Sequence, residues 1–395
     1  MRIKYIDTIC TNKMHVIFNA SLLAMLINLY SNIIFFGEKR NVSDVISILK
    51  ENYIDVEKVR RRNLYLITTL SGIRTFLTFC LSFFYNLYFI IFSRKNDLLV
   101  FNYNNLFSVR SINFFNKIFN RNILIFCHGE MEFLISDTKQ YGLLNTILTY
   151  FGKNFFLNKQ IQIHPKIKFV VMGDSILLNI KSVIPNNISK SFIAIDHSYF
   201  FRRKENLDLS FNNKKIKIGT VGTFSKIKGG EDFFKLYNLI GPDKVEFSIT
   251  GRIFYDSYII DSMKIDIPKN KGKNMIPRNE LEERIQKLDI ILFFYPKTSY
   301  KLIASGAIMD AINMRKPILA IKNDYFDYIF RKFGRFGFLV DSVEEMATIL
   351  KRIRKEDLLF DFDSIQKKMN ISKITEQLER NLIDINFFRK NYKCY

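Results

Sequence analysis

From residue 214 onward the chain alternates short apolar runs with amphipathic stretches. "KKIKIGTVGT" reads as a strand ending in glycine, "EDFFKLYNLI" as a helix stopped by Gly241-Pro242, and "VEFSITG" as the next strand. "RNELEERIQKL" is a helix and "DIILFFYP" a buried strand closed by Pro296. A helix then opens at Ser305-Gly306, followed by the strand "KPILAI", the helix "YFDYIFRKF", the strand "FGFLV" and the helix "SVEEMATILKRIRK". This rhythm predicts βαβ units and a parallel sheet.

The first half carries the same pattern more loosely. Apolar runs at 97–103, 122–128, 167–173 and 191–197 end in polar residues or glycine. A helix is expected from Ala20 to Leu29, feeding a strand Ile33 to Phe36, and another from Ser108 to Phe119. The polar stretch 202–215 reads as a linker, which divides the chain into domains 1–205 and 206–365 and a helical tail 366–395. Two α/β domains joined once predict a cleft, and the tail's spacing lets it pack back across both. A length of 395 residues fits two cores better than one.

Composition sharpens this in three ways. First, 60 basic against 38 acidic residues give a net charge of +22, which suits an anionic partner: a phosphorylated substrate, a bilayer or a nucleic acid. No compact basic block with interleaved aromatics marks a nucleic-acid groove, so nucleic acid is not expected. Second, Cys10, Cys80, Cys127 and Cys394 form no CxxC pair and no disulfide framework, which points to a reducing, cytoplasmic compartment. His15, His128, His164 and His197 are far apart in sequence and match no metal-binding pattern, so no metal is expected. Third, 15% of the chain is aromatic, all Phe and Tyr, and two segments, 15–36 and 75–93, lack charge altogether. No small-residue cleavage site clearly ends the first, so a signal peptide is not expected there. The second, "TFLTFCLSFFYNLYFIIFS", lies between Arg74 and Arg94-Lys95. It reads either as a buried helix or as an interfacial helix lying on lipid, with a true membrane span the weaker third reading.

Ligands of open parallel sheets bind beyond the carboxyl ends of the strands, which singles out three loops. In "GTVGTFSKIKGG", Gly222 and Thr223 allow close backbone approach, Lys226 and Lys228 supply cations, and Gly229-Gly230 begin a helix; this suits a diphosphate, although no Walker loop is matched. In "LIASGAIMDAINMRKPILAI", Ser305 and Gly306 start a helix whose free amides suit an anion, and Asp310 could accept two hydrogen bonds from a ribose diol. In "FCHGEME", His128 ends a strand and Glu130 and Glu132 follow, a set suited to proton transfer or to binding a sugar hydroxyl. "IDHSY", with His197, competes for that role. A lone strand-end histidine, a turn with solvated lysines and a serine cap with a surface aspartate are the plain structural readings of the same residues.

Together these stretches resemble the GT-B glycosyltransferases, specifically the family-4-like group of the bacterial capsule and lipopolysaccharide type. In that group a strand ends in a Gly-Arg loop followed by Lys-Gly. Here Gly222-Thr223 is followed by Lys228-Gly229, so Lys-Gly matches and the Arg does not. Asp310 stands where the group has a Glu, Arg315 stands for a second glycine, and the group's earlier Glu falls on Leu302. The likeness covers residues 216–355 and reaches the first domain more faintly through "CHGEME", "VVMGDSI" and "IDHSY". It implies a GT-B fold, two Rossmann-like domains facing each other across a cleft with a C-terminal helix packing back. It also implies sugar transfer from a nucleotide diphosphate sugar to a glycan or lipid-linked acceptor in cell-surface polysaccharide synthesis. Lys228, with His128 and Glu130, would be catalytic. Gly222, Thr223, Lys226, Arg252, Ser305, Gly306 and Asp310 would hold the donor, with the nucleobase near "RNELEERI" and no cofactor. The basic charge and the segment 75–93 place such an enzyme peripherally on the inner face of the cell membrane. The rival expectation is a non-catalytic nucleotide-binding or scaffold protein on the same fold, which the missing Arg and Glu favour.

Overall fold

Among the described residues, thirteen strands form two parallel sheets. In the first, β1 (Ile3–Ile6), β2 (Ile33–Glu38), β3 (Val59–Leu64), β4 (Leu98–Phe101), β5 (Asn122–Phe126), β6 (Ile167–Met172) and β7 (Phe192–Ile195) lie in the order β3-β2-β1-β4-β5-β6-β7. In the second, β8 (Lys217–Val221), β9 (Glu246–Thr250), β10 (Ile265–Asp266), β11 (Ile290–Phe293), β12 (Ile318–Ile321) and β13 (Gly337–Val340) lie in the order β10-β9-β8-β11-β12-β13. The computed structural model describes residues 1–67, 73–136, 143–201, 215–274 and 276–387. Apart from Lys215, the stretch read as the linker lies outside the described residues.

The chain divides into two units. The first is Met1–Phe200 with Leu302–Ala304 and the chain from Met369; the second is Phe201–Lys301 with Ser305–Lys368. Each is doubly wound, and the strand order reverses once in each, between β1 and β4 and between β8 and β11. Such a reversal opens a crevice at the strands' carboxyl ends, because the two flanking connections leave on opposite faces of the sheet.

The strands form where the sequence offers runs apolar on both faces, as a sheet covered by helices on both sides requires. Ile290–Phe293 and Ile318–Ile321 are buried throughout. Three strands escaped the apolar pattern, the shortest being the two-residue β10. The central β1 is "IKYI", and its Lys4 is buried; its ammonium meets Ser93 Oγ at 2.8 Å and the Asp97 carboxylate at 3.7 Å. The edge strand β3 is "VRRRNL", with Arg60, Arg61 and Arg62 exposed, a charged edge that discourages further strand pairing.

The helix Val16–Leu29 has no polar side: Phe18 through Ile27 are buried without a break. A helix apolar all round must be covered all round. Its cover includes the C-terminal helix Ile371–Asp384, whose Ile374, Leu378 and Leu382 join the same core. The tail helix therefore belongs to the first unit. It is also pinned by polar bonds: Gln377 Oε1 accepts the Asp196 amide at 2.8 Å, and Asn381 donates to the Ala194 carbonyl at 2.8 Å. The uncharged segment 75–93 is the helix Ile73–Phe92, which buries one face and exposes the other, so it is not a buried core helix.

Candidate functional site

The first unit's crevice is built from the residues that follow β1, β4, β5 and β7. Ile6 is aligned with Phe101 across β1 and β4, so Asp7 and Asn102 emerge side by side. Asp7 is fully buried and its carboxylate takes four donors: the Ile9 and Cys10 amides at 3.1 and 2.8 Å, Asn19 Nδ2 at 2.7 Å and Asn102 Nδ2 at 3.2 Å. With four donors, Asp7 is a structural anchor for these loops.

His128 lies above this anchor. Its Nε2 is 2.7 Å from the Asn102 carbonyl, so Nε2 carries the proton and donates, leaving Nδ1 with the lone pair. Tyr103 stacks on the ring at 5.4 Å between centroids, and Phe18 meets it edge-on at 4.7 Å. Two further histidines join it: His15 lies 5.2 Å from His128 between ring centroids, and Phe18 touches His197 at 5.4 Å. Burial pushes His128 down to about 3 and His197 down to about 4, and it lowers His15 too; the imidazoles also oppose one another's protonation. All three are neutral at physiological pH. Glu130 is buried and accepts the His128 amide at 2.9 and 3.0 Å, and burial pushes its carboxyl up to about 8. Glu132 accepts the Leu302 amide at 2.9 Å within the same unit. The crevice thus presents uncharged polar groups among aromatic rings, a surface suited to sugar hydroxyls. Among the described residues, no three His, Cys, Asp or Glu side chains are placed to hold a metal ion.

The second unit's crevice has different chemistry. Thr220, Val221 and Thr223 from the end of β8 and its loop, Phe293, Phe294 and Tyr295 from the end of β11, and Lys228 line one small cavity. Its water-accessible volume is ≈ 10 Å³, room for about one water, so a larger anion must lie over the loops and not inside it. Thr220 Oγ1 is buried there with no hydrogen-bond partner, an orphan that costs stability unless something satisfies it. Lys228 Nζ stands 5.8 Å from the Tyr295 ring centroid, and Tyr295 Oη is 3.4 Å from Ser305 Oγ. Tyr295 therefore links the lysine to the start of the helix Gly306–Asn313. A larger hollow of ≈ 460 Å³ lies against Phe338, Ile349 and Phe360, but none of the loops after the strands lines it.

Two kinds of glycine shape this crevice. At Gly229, with φ 78°, a Cβ would fall 2.1 Å from the Phe294 carbonyl oxygen, so only glycine lets the Lys228 loop close onto β11. At Gly222, with φ 88°, and at Gly306 a Cβ would meet nothing, which leaves the backbone open to a ligand.

No family model matches the chain, and no curated protein sequence does. Solved structures do. TarM aligns with a TM-score of 0.61 at 13% identity over 98% of this chain and 99% of its own. The lipopolysaccharide outer core galactosyltransferase WaaB, in its apo form, aligns at 0.57 and 9% over 97% and 99%. Arabidopsis thaliana UGT89C1 complexed with UDP aligns at 0.54 and 9% over 98% and 100%. The chain has the GT-B fold.

On this GT-B chain the residues singled out in the sequence fall into distinct settings. Lys228, Thr223, Gly222, Ser305 and Gly306 all stand at or beside the second crevice. Ser305 is buried, and its hydroxyl meets Tyr295 without capping its own helix. Lys226 is exposed, and Arg252 is exposed with its guanidinium stacked on Phe254 at 4.4 Å. Asp310 is bound to Arg278 at 2.7 Å, and the same guanidinium holds Glu282 at 2.7 Å. That chain brings the helix of "RNELEERI" against Asp310, and the carboxylate expected to hold ribose is already engaged. The helix start at Gly230 has Glu231 and Asp232 in its first turn, which answer its positive end themselves; the helix at Gly306 has no acid there. Sequence reading missed Thr220, Tyr295 and Arg278, and it did not gather His15 and His197 around Phe18.

Proposed function

We propose that the chain is a nucleotide-sugar-dependent glycosyltransferase, hexosyltransferase-like, that moves a sugar from a nucleotide diphosphate sugar to a hydroxyl of a glycan or lipid-linked acceptor in cell-surface polysaccharide synthesis. The observation that carries this reading is the second unit's crevice. There the Lys228 ammonium, which makes no ion pair among the described residues, adjoins the orphaned Thr220 hydroxyl and the acid-free helix start at Gly306. When the bond between the anomeric carbon and the diphosphate breaks, the leaving group gains negative charge. Lys228 and the amides of that helix start stabilise that charge without a metal ion. As the acceptor oxygen bonds to the anomeric carbon, its proton passes to an oxygen of the departing diphosphate. In the first unit, neutral His128 offers the Nδ1 lone pair to a sugar hydroxyl, and Asn102 fixes the ring's orientation through Nε2. Glu130 holds the His128 amide, a positioning role. The likeness to UGT89C1 complexed with UDP supports a nucleoside diphosphate as ligand.

The test is turnover of labelled uridine and guanosine diphosphate sugars by the wild-type and Lys228→Ala proteins, read as release of nucleoside diphosphate. Release that collapses in the variant supports the reading; equal release by both removes Lys228 from it. The Asp310–Arg278 pair favours one second reading, nucleotide binding without catalysis, because it occupies the carboxylate expected to hold ribose. That reading predicts nucleotide binding with no release from any sugar donor.

A further inference from the structure

The helix Ile73–Phe92 is amphipathic the wrong way round for a protein surface in water. Its polar stripe, Thr78, Ser82 and Asn86, points inward and is fully buried. Ser82 Oγ meets Thr8 Oγ1 at 2.7 Å and accepts from Asn105 Nδ2 at 2.9 Å; Asn86 Nδ2 donates to Ser108 Oγ at 2.8 Å. These bonds fix the loops after β1 and β4. The opposite stripe, one residue per turn, is Phe84, Tyr88 and Phe92, and these are 66%, 54% and 68% exposed. Leu77 and Phe76 extend it toward the helix start, and on the neighbouring helix Val109–Phe119 both Phe114 and Ile118 are exposed, one turn apart. Water does not favour an exterior of this kind, and soluble monomers rarely show so continuous an apolar surface.

The charge around it names the partner. From Lys58 to Arg121 the sequence holds ten Lys and Arg against one acid, Asp97, and Asp97 is buried in a bidentate pair with Arg2. Arg60, Arg61 and Arg62 are exposed on β3, whose following residue Tyr65 accepts a hydrogen bond from Tyr85 of the helix at 3.2 Å. Arg94 and Lys95 are exposed just beyond the helix's other end, and Arg110 and Lys117 are exposed on the neighbouring helix. Aromatic side chains ringed by exposed cations match the interfacial layer of an anionic bilayer, where the rings enter the acyl boundary and the cations meet phosphates. A membrane-crossing helix would have to give up the buried bonds of Ser82 and Asn86. The helix is long and apolar enough to cross, but those bonds hold it along the surface.

We propose that the first unit docks on an anionic lipid bilayer through the outer face of the helix Ile73–Phe92, with Phe84, Tyr88 and Phe92 inserted and the surrounding arginines and lysines on the headgroups. This rests on the first unit alone and stands or falls separately from the sugar-transfer reading. The test is flotation of the full-length protein with vesicles of phosphatidylcholine alone and of phosphatidylcholine mixed with phosphatidylglycerol, at physiological salt. Wild-type protein floats with the anionic vesicles and largely fails to float with the neutral ones. The triple variant Phe84→Ser, Tyr88→Ser, Phe92→Ser changes exposed positions only, keeps the wild-type melting temperature, and floats at least ~10-fold less well. The variant Arg60→Glu, Arg61→Glu, Arg62→Glu leaves the rings in place and loses the preference for anionic vesicles. Wild-type protein that floats with neither vesicle, or a triple variant that floats like wild type, overturns the proposal. So does a vesicle-free dimer, seen by light scattering, that the triple variant converts to monomer, since the face then covers a second copy of the chain.

Discussion

The two crevices share one topology and carry opposite chemistry. Each lies where a doubly wound sheet reverses its strand order, between β1 and β4 or between β8 and β11. In the first, polar groups gather around the internally bonded Asp7, burial keeps the three imidazoles uncharged, and the unpartnered side-chain atoms there, among the described residues, are the acceptor oxygens Asn102 Oδ1 and Asn104 Oδ1. In the second, the backbone is open at Gly222 and Gly306, a hydroxyl is orphaned at Thr220, and the cation is Lys228. The sheet decides where a ligand goes, and the loop residues decide what charge it carries. A neutral crevice suits sugar hydroxyls, and a cationic one with unspent donors suits a diphosphate.

The comparison breaks first at its charged member. Lys228→Ala should lower turnover by about 10²–10³-fold, the usual cost of removing one transition-state donor. If the first crevice handles sugar and not diphosphate, His128→Asn should lower turnover by about 10²-fold while leaving nucleoside diphosphate affinity unchanged, which titration of the purified variant would show. A matching loss of affinity would mean that the two crevices do not divide the work in this way.

The neutrality of the first crevice has its own signature in stability. His128 and His197 have folded values near 3 and 4 against an ordinary 6.5, so their contribution is present above pH 6.5 and is lost as pH falls toward those values. Glu130 runs the other way: raised from 4.5 to about 8, it costs stability as pH rises through that range. Between pH 4.5 and 6.5 the two histidines outweigh the one carboxyl, so the cluster is most stabilising close to pH 6.5. Melting temperature against pH should fall on both sides of that point, and Glu130→Gln should flatten the alkaline side. A profile unaltered by that substitution contradicts the buried, protonated carboxyl.

Smaller effects sharpen the second crevice. Thr220→Val keeps the shape and removes the orphan. Without ligand it should be neutral or stabilising by up to ~1 kcal/mol in chemical denaturation, and it should weaken nucleoside diphosphate binding by about 3–10-fold. Gly306→Ala adds a methyl that meets no neighbour, so the fold should tolerate it, and any loss of diphosphate affinity reports close backbone approach.

How much of this was legible in the sequence depended on what each feature needs. Strands β8, β9, β11, β12 and β13 could be read because a parallel sheet covered on both faces demands unbroken apolar runs, as Ile290–Phe293 and Ile318–Ile321 supply; the two-residue β10, Ile265–Asp266, offers no run to read. β1 and β3 could not, since Lys4 is buried by partners over 80 residues away and Arg60–Arg62 sit on an edge. Lys228, Gly222 and Ser305 stood out because a glycine loop and a helix start are local features. The histidine cluster did not. His15, His128 and His197 meet through strand order, which no local spacing encodes. Asp310 could be picked out as a carboxylate, but its partner Arg278 lies on another helix, so its engagement was invisible.

The most direct test of the central claim, that the crevice between β8 and β11 is a diphosphate site, is calorimetric titration of uridine diphosphate into the wild-type, Lys228→Ala and His128→Asn proteins. Saturable binding to wild type and to His128→Asn, weakened at least ~10-fold in Lys228→Ala, is the expected result. Binding that Lys228→Ala leaves intact, or no binding of uridine or guanosine diphosphate by the wild-type protein, would contradict it.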